Sequence, residues 1–255
     1  DADLIIRHAD IRRTLMNMKS LIEGQRSLAF WVSQQIDVSL NHSNKEIKSN
    51  ANDLVSLMTP LIKSFFTDIG MEITNDAIQI FGGYGYTKDQ GIEQLFRDNR
   101  ITPIYEGTNS IQAIDLVYRK ILNNKIFEKY LKQITDEIKD YEKNKNLSLF
   151  VQKFQKYLEL LNNFTLWLIE KNKSSKDDVS SACNDYLKVL GYISLAHTWL
   201  KILKISFEKL DKNKSFFEDK INTATHYFDK ILPRAQSHYL SAITGSNSMM
   251  KATFN

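Results

Sequence analysis

Apolar residues recur at three- and four-residue steps along most of this chain, and no segment alternates convincingly as a strand would. Ile11, Leu15, Met18, Leu21, Ile22, Leu28, Ala29 and Val32 mark one amphipathic helix over Asp10–Ile36. Gly24 falls inside that pattern, where it weakens the helix slightly and admits a closely packed neighbour. Polar residues from Asn41 to Asp53 then break the period and predict a loop between two antiparallel helices. Leu57, Leu61, Phe65, Ile69, Ile73, Ala77 and Ile80 line one side of a second helix from about Leu54 to Phe81. Pro60 lies near its expected start, where a missing N–H is tolerated or gives a mild kink, and Gly82-Gly83 closes it.

Gln90–Arg100 suggests a shorter third helix, ended by Thr102-Pro103 because the residue before proline avoids helical geometry. Ile104–Gly107 is then expected as an extended connector. Asn109 and Gln112 have the spacing of a capping box, and Ile111, Ile114, Leu116, Val117 and Ile121 carry a fourth helix. Beyond Asn123 the texture changes to lysine, asparagine, leucine and aromatics. One stripe runs from Leu147 through Phe154, Leu161 and Leu168, and another from Val179 through Cys183, Leu190, His197 and Leu203. A last helix spans about Phe216 to Ile243, kinked at Pro233, with NKSSKDD (Asn172 to Asp178) and DKNKS (Asp211 to Ser215) as turns. The predicted fold class is all-α: a four-helix bundle over 1–122, then a second helical bundle over 123–255, joined near Asn123-Asn124.

At 255 residues and 42% hydrophobic content, the chain can bury a core. Its net charge of +4 is unevenly shared: residues up to Leu122 balance at about −2 and the remainder at about +6. The excess is lysine dispersed among acids, the texture of a solvated helical face rather than the clustered Arg of a nucleic-acid surface. The first residue is Asp1 rather than methionine, which suggests part of a longer or processed polypeptide. No stretch approaches eighteen uninterrupted apolar residues, and the lone Cys183 cannot form an internal disulfide. A cytoplasmic protein with no membrane segment is the expectation. His42, His226 and His238 lack partners at metal-ligand spacing, so no metal site is expected, and His197 and Cys183 read as core residues.

Candidate chemistry gathers in Asn75–Gln112, which holds five of the chain's nine glycines, the cluster Arg97, Asp98 and Arg100, and one carboxylate, Glu106. Ile104 and Tyr105 precede Glu106 and Gly107-Thr108 follow it. A carboxylate held among apolar groups binds its proton more tightly, as a base must to take a weakly acidic C–H proton near neutral pH. Most glutamates beside a turn are solvated, and only the whole motif makes a shielded Glu106 the expectation.

QIFGGYGY, then RDNRI, then PIYEGTNSIQ resemble the C-terminal domain of the acyl-CoA dehydrogenase flavoproteins. YLKVLGYISLAHTWLKI and INTATHYFDKILPRAQSHYLSAITG resemble the extra C-terminal helices of a bacterial branch that includes 3-methylmercaptopropionyl-CoA dehydrogenase. The resemblance implies FAD-dependent α,β-dehydrogenation of an acyl-CoA, a 3-methylmercaptopropionyl thioester among the possible substrates, with Glu106 as catalytic base. It places Tyr105 and Gly107 beside the acyl chain and thioester, and Thr108, Asn109 and Ser110 against the FAD. Gln79, Gly82 and Gly83 would meet the adenosine and pyrophosphate of an FAD bound mainly by a neighbouring subunit. An electron-transfer flavoprotein, a second copy of the chain (dimer or tetramer) and upstream N-terminal and middle domains are the implied partners. Without those domains the segment is expected to be inactive and to hold no FAD.

Arg97, Asp98 and Arg100 match a turn read as a salt-bridge cluster that holds the Glu106 loop. His8-Ala9 stands where many relatives carry His-Gln, and Ser110 replaces the glutamine common in medium-chain relatives. Two other readings fit the sequence: a DNA-binding alkylation-response flavoprotein of the same fold, favoured by the basic second half, and a non-catalytic helical assembly module.

Overall fold

The computed structural model describes residues 3–122 and 126–254. Every regular element among them is a helix, as the spacing of the apolar positions predicts. The expected junction at Asn123-Asn124 lies outside the described residues.

Helix α1 (Ala9–Asn41) and helix α2 (Lys45–Phe81) form an antiparallel pair joined by three residues. The loop expected over Asn41–Asp53 is therefore mostly helix. Asn44 makes the difference: its side-chain oxygen accepts the backbone N–H of Glu46 at 2.8 Å and of Ile47 at 3.2 Å, a cap that begins α2 two turns early. Pro60 consequently lies deep inside α2 rather than near its start, buried against the core. Length and composition alone would let α2 cross a membrane. Its apolar side, Leu54, Leu57, Met58, Leu61, Phe65 and Ile69, is instead buried in the protein.

A single turn, α3 (Gly83–Tyr86), and a short helix, α4 (Ile92–Asn99), follow. Helix α5 (Asn109–Ile114) then widens into a π-helical stretch over Asp115–Leu122. Helix α6 (Ile126–Glu142) was not marked by the sequence stripes, although Ile126, Tyr130, Ile134, Ile138 and Tyr141 bury one face of it. Helices α7 (Ser148–Ser174) and α8 (Lys176–Glu208) are separated by Ser175 alone, so the turn expected over Asn172–Asp178 shrinks to one residue. The single last helix expected over Phe216–Ile243 is three pieces. They are α9 (Lys214–His226), a π-helical turn Tyr227–Ile231 before Pro233, and α10 (Arg234–Ala242). A one-turn α11 (Asn247–Met250) is the last helix among the described residues.

Helix α8 is the axis of the molecule. Every residue from Val189 to Leu200 is buried, so this stretch is covered on all sides instead of presenting one apolar stripe. Its neighbours include α1, α2, α5, α7, α9 and α10, and one continuous core joins the two halves of the chain. Two glycines allow the closest approaches. A Cβ at Gly24 of α1 would stand 2.9 Å from the indole nitrogen of Trp199, which itself donates to the Ser20 carbonyl at 3.2 Å. A Cβ at Gly191 of α8 would overlap the ring of Phe65 in α2. Gly191→Ala is expected to destabilise the fold by about 1–3 kcal/mol, the usual cost of overpacking, measurable as a lower urea midpoint at unchanged slope.

His197 and Cys183 are core residues, as expected. Among the described residues no cluster of His, Cys, Asp and Glu is arranged to hold a metal. His197 is not alone in the core: its Nε2 lies 3.0 Å from Glu137 Oε2 of α6, with Phe154 stacked on the ring and Trp31 against its edge. Lys201 Nζ lies 3.2 Å from the same carboxylate oxygen, and the Tyr141 hydroxyl donates to Glu137 Oε1 at 2.7 Å. Burial pushes His197 below its ordinary value of 6.5, against the pull of Glu137. Burial alone would raise Glu137, but hydrogen bonds from His197 and Tyr141 and the charge on Lys201 outweigh it and hold the carboxyl well below its ordinary 4.5. The stable arrangement is a neutral imidazole donating to an ionised carboxylate.

Both shifts act in one direction on stability. With its folded value depressed, His197 binds fewer protons folded than unfolded once the pH falls below about 6.5. Glu137's contribution is present above about 4.5 and disappears at lower pH. Stability should therefore fall on acidification from pH 6.5, and His197→Gln, which keeps a donor for Glu137, should flatten the part of that fall between pH 6.5 and 5 in urea titrations.

Candidate active site

Glu106 sits in a loop whose backbone is bent back on itself. The connector expected to be extended over Ile104–Gly107 is a series of turns. The N–H groups of Ile104 and Tyr105 both donate to the Ile101 carbonyl, at 2.9 and 3.1 Å, and Asn109 N–H donates to the Pro103 carbonyl at 3.0 Å. Glu106 has φ 56°, left-handed, and among the described residues no other non-glycine shares that property. Gly107 follows at φ 84°. Two successive left-handed residues, one of them a glutamate, are a conformation the surroundings must enforce.

The enforcement comes from α2 and from the start of α5. Gln112 Nε2 donates to the Glu106 carbonyl at 2.9 Å, and Lys63 Nζ donates to the Gly107 carbonyl at 2.7 Å. Lys63 also donates to Asn109 Oδ1 at 2.9 Å. Asn109 Nδ2 in turn lies 2.7 Å from Asp68 Oδ1 and 3.0 Å from Thr67 Oγ1. The Asn109/Gln112 capping box expected from spacing does not form. Thr108 is the cap, its Oγ1 accepting the Ile111 N–H at 3.4 Å, while Asn109 ties the loop to α2 and Gln112 reaches back to Glu106. Thr108-x-x-Ile111 lacks the Glu or Gln that marks a capping box, so the sequence pointed one residue too far on.

Arg97, Asp98 and Arg100 do not make the expected salt-bridge cluster. Arg97 turns back along its own helix to Glu93 at 2.6 Å, and its hydrogen bond lowers the Glu93 carboxyl. Asn99, between them, braces the loop: Thr102 Oγ1 donates to its carbonyl at 2.8 Å, and its side chain packs onto Gly70 of α2, where a Cβ would stand 3.0 Å away. Periodicity offered no signal for Lys63 or Asn99, whose polar groups serve contacts distant in sequence.

The expectation that Glu106 is shielded from water is not met within these residues: its side chain is exposed. Tyr105 is 52% exposed and Gly107, Thr108 and Ser110 are exposed as well. The carboxylate is fixed at its backbone and open at its tip. Large apolar side chains nearby in sequence, Ile101, Ile104 and Ile111, are also exposed, a surface suited to being covered.

Gln79, Gly82 and Gly83 form a separate group at the far end of α2. Lys63 and Thr67 precede them by 12 to 20 residues, so the two groups stand roughly 20 Å or more apart along the helix. Gln79 is exposed and its carbonyl accepts the Gly82 N–H at 3.1 Å. Gly82 ends α2 at φ 61°, ψ −142°, a glycine conformation, and a Cβ at Gly82 or Gly83 would meet nothing within 4 Å. Gly85, by contrast, is needed for packing, since a Cβ there would stand 2.6 Å from the Ile78 carbonyl. Exposed Phe81, Tyr84 and Tyr86, the last 84% exposed, surround the bare glycines. A hollow of about 690 Å³ lined by Ile78, Tyr86, Thr87, Lys88, Glu93 and Phe96 opens at the same end.

Two family models match successive parts of the chain. Residues 2–122 match the family model described as acyl-CoA dehydrogenase, C-terminal domain, and residues 130–253 match one described as acetyl-CoA dehydrogenase C-terminal like. A 3-methylmercaptopropionyl-CoA dehydrogenase from Ruegeria pomeroyi is 41% identical over 124 residues, 49% of this chain and 21% of the relative. A butyryl-CoA dehydrogenase from Syntrophomonas wolfei is 27% identical over 257 residues, 97% of this chain and 40% of the relative. Among solved structures, an acyl-CoA dehydrogenase from Bacillus anthracis complexed with FAD superposes with a TM-score of 0.74 at 17% identity, over 96% of this chain and 44% of that one. ACDH-11 of Caenorhabditis elegans in complex with C11-CoA superposes at 0.71 with 18% identity, over 94% and 40%. The chain thus spans less than half the length of each of these relatives.

Residue 106 provides a direct test of the loop's geometry. A β-branched side chain is a poor occupant of the left-handed region, whereas asparagine tolerates it. Glu106→Val should be less stable than Glu106→Asn by about 1–2 kcal/mol, read from urea unfolding midpoints.

Proposed function

Because the chain belongs to the acyl-CoA dehydrogenase family, we propose that it carries the proton-abstracting part of an FAD-dependent enzyme that introduces a double bond between the α and β carbons of an acyl-CoA thioester. The observation that carries this reading is the conformation of Glu106: one carboxylate, in the YEGT segment, held left-handed by bonds to its own carbonyl and its neighbour's. A side chain presented so deliberately is placed for contact with something outside the loop.

In this reading the Glu106 carboxylate removes the proton α to the thioester, and Gly107 leaves room for the thioester to approach the backbone. Tyr105 borders the acyl chain. When bound, FAD supplies the acceptor for the hydride leaving the β carbon. The residues present fit such a cofactor in two places. The exposed hydroxyls of Thr108 and Ser110 stand at the start of α5, and the bare backbone of Gly82-Gly83, with exposed Gln79 beside it, stands at the end of α2. Asn109 fits less directly, its side chain being engaged with Lys63, Thr67 and Asp68.

The distance between the two groups favours their serving different flavins, the glycines meeting that of a second copy of the chain. The water-free surroundings Glu106 needs as a base would come from domains and subunits that cover the exposed apolar residues around it. The 255-residue segment alone would then neither hold FAD nor turn over substrate. Electrons would pass on to an electron-transfer flavoprotein. The 41% identity to a 3-methylmercaptopropionyl-CoA dehydrogenase favours a short, sulfur-containing acyl group as one substrate to test.

Glu106→Gln in the full-length flavoprotein should slow anaerobic flavin bleaching by acyl-CoA by ~10²–10⁴-fold, the usual contribution of a general base, with acyl-CoA binding retained. Bleaching at the unaltered rate would overturn the assignment. Rates across acyl-CoAs of graded length, a methylthio-propionyl thioester included, would rank the substrates.

A further inference from the structure

We propose that Lys63 is the positioning residue for the candidate base, clamping the left-handed Glu106-Gly107 pair onto α2; this rests on the function proposed above. Its ammonium donates to the Gly107 carbonyl at 2.7 Å and to Asn109 Oδ1 at 2.9 Å, and so holds the loop immediately after Glu106 on both sides of Thr108. Both acceptors are neutral, which suits a mechanical role better than an ion pair would. Charge-assisted bonds of this kind are stronger than neutral ones, and a half-buried lysine able to make two of them from one point is not replaced by a guanidinium fork. The Asn109 amide group extends the clamp to Thr67 and Asp68, one turn along α2. Gln112 holds the Glu106 carbonyl itself. Lys63 and Gln112 thus fix the two carbonyls that flank the bend, and the carboxylate can be presented at one place while its tip is exposed.

Lys63→Met keeps the aliphatic stem and removes the donors. Amide hydrogen exchange in the loop, at Tyr105 and Asn109, whose N–H groups bond the Ile101 and Pro103 carbonyls, should accelerate by ~10–100-fold while that of α1 and α8 is unchanged. In the full-length flavoprotein the same variant should reduce flavin ~10–100-fold more slowly, with FAD content unaltered and acyl-CoA affinity changed by no more than about threefold. Lys63→Arg should recover loop protection and rate only in part, and both in the same proportion. Unchanged loop exchange in Lys63→Met overturns the clamp whatever the activity. A loosened loop with an undiminished rate, or a rate that falls only as FAD is lost, overturns the positioning role. If Glu106→Gln leaves flavin reduction intact, the proposed function fails, and loop exchange still decides whether Lys63 is a clamp.

Discussion

Close approach between α8 and the α1–α2 pair is the constraint on which the rest depends. Gly24 admits Trp199, and Gly191 admits Phe65, so in each pair a missing side chain on one helix makes room for a ring on the other. These contacts cross the boundary between the two segments that match different family models and draw both into one core. Phe65 lies next to Ser64 and two residues from both Lys63 and Thr67. The turn of α2 that meets α8 through Phe65 therefore also carries, on another side of the helix, the groups that hold the Glu106 loop. Core packing at Gly191 and presentation of the carboxylate are linked through one turn of one helix.

Helical periodicity revealed what rests on repetition and missed what rests on single polar groups. The stripes through Leu57–Ile69, Leu147–Leu168 and Val179–Leu203 are buried as they suggest. The early start of α2 escaped because it hangs on Asn44, one cap in a polar stretch that otherwise resembles a loop. The π-helical stretches at Asp115–Leu122 and Tyr227–Ile231 are invisible to a pattern search with a fixed period, since each shifts the face that follows it. Helix α6 had the right spacing at Tyr130, Ile134 and Ile138, but charged residues between them masked it.

In the candidate site, the motif singled out Glu106 and the glycines at 82 and 83, but the bend at Glu106 stands where an extended connector was expected. It did not reveal Lys63 or Asn99, because hydrogen bonds spanning 32 to 46 residues leave no local trace. Nor did apolar neighbours in sequence mean burial. Ile104 and Tyr105 flank Glu106 along the chain yet face outward with it, so the apolar character of the segment describes a surface rather than an interior. Backbone strain at Glu106 is compensated here by two side chains that bind the carbonyls of the bend, Gln112 at residue 106 and Lys63 at residue 107.

The empty space around Gly83 carries its own lesson. Unlike Gly24, Gly85 and Gly191, it answers to no atom of its own chain, and its backbone lies within an ordinary helical turn. A methyl group added there would leave the folding of this polypeptide untouched, and any penalty would register only once another molecule came to rest on it. Position 83 therefore separates two things that mutations usually confound, the integrity of a fold and its contact with whatever binds it.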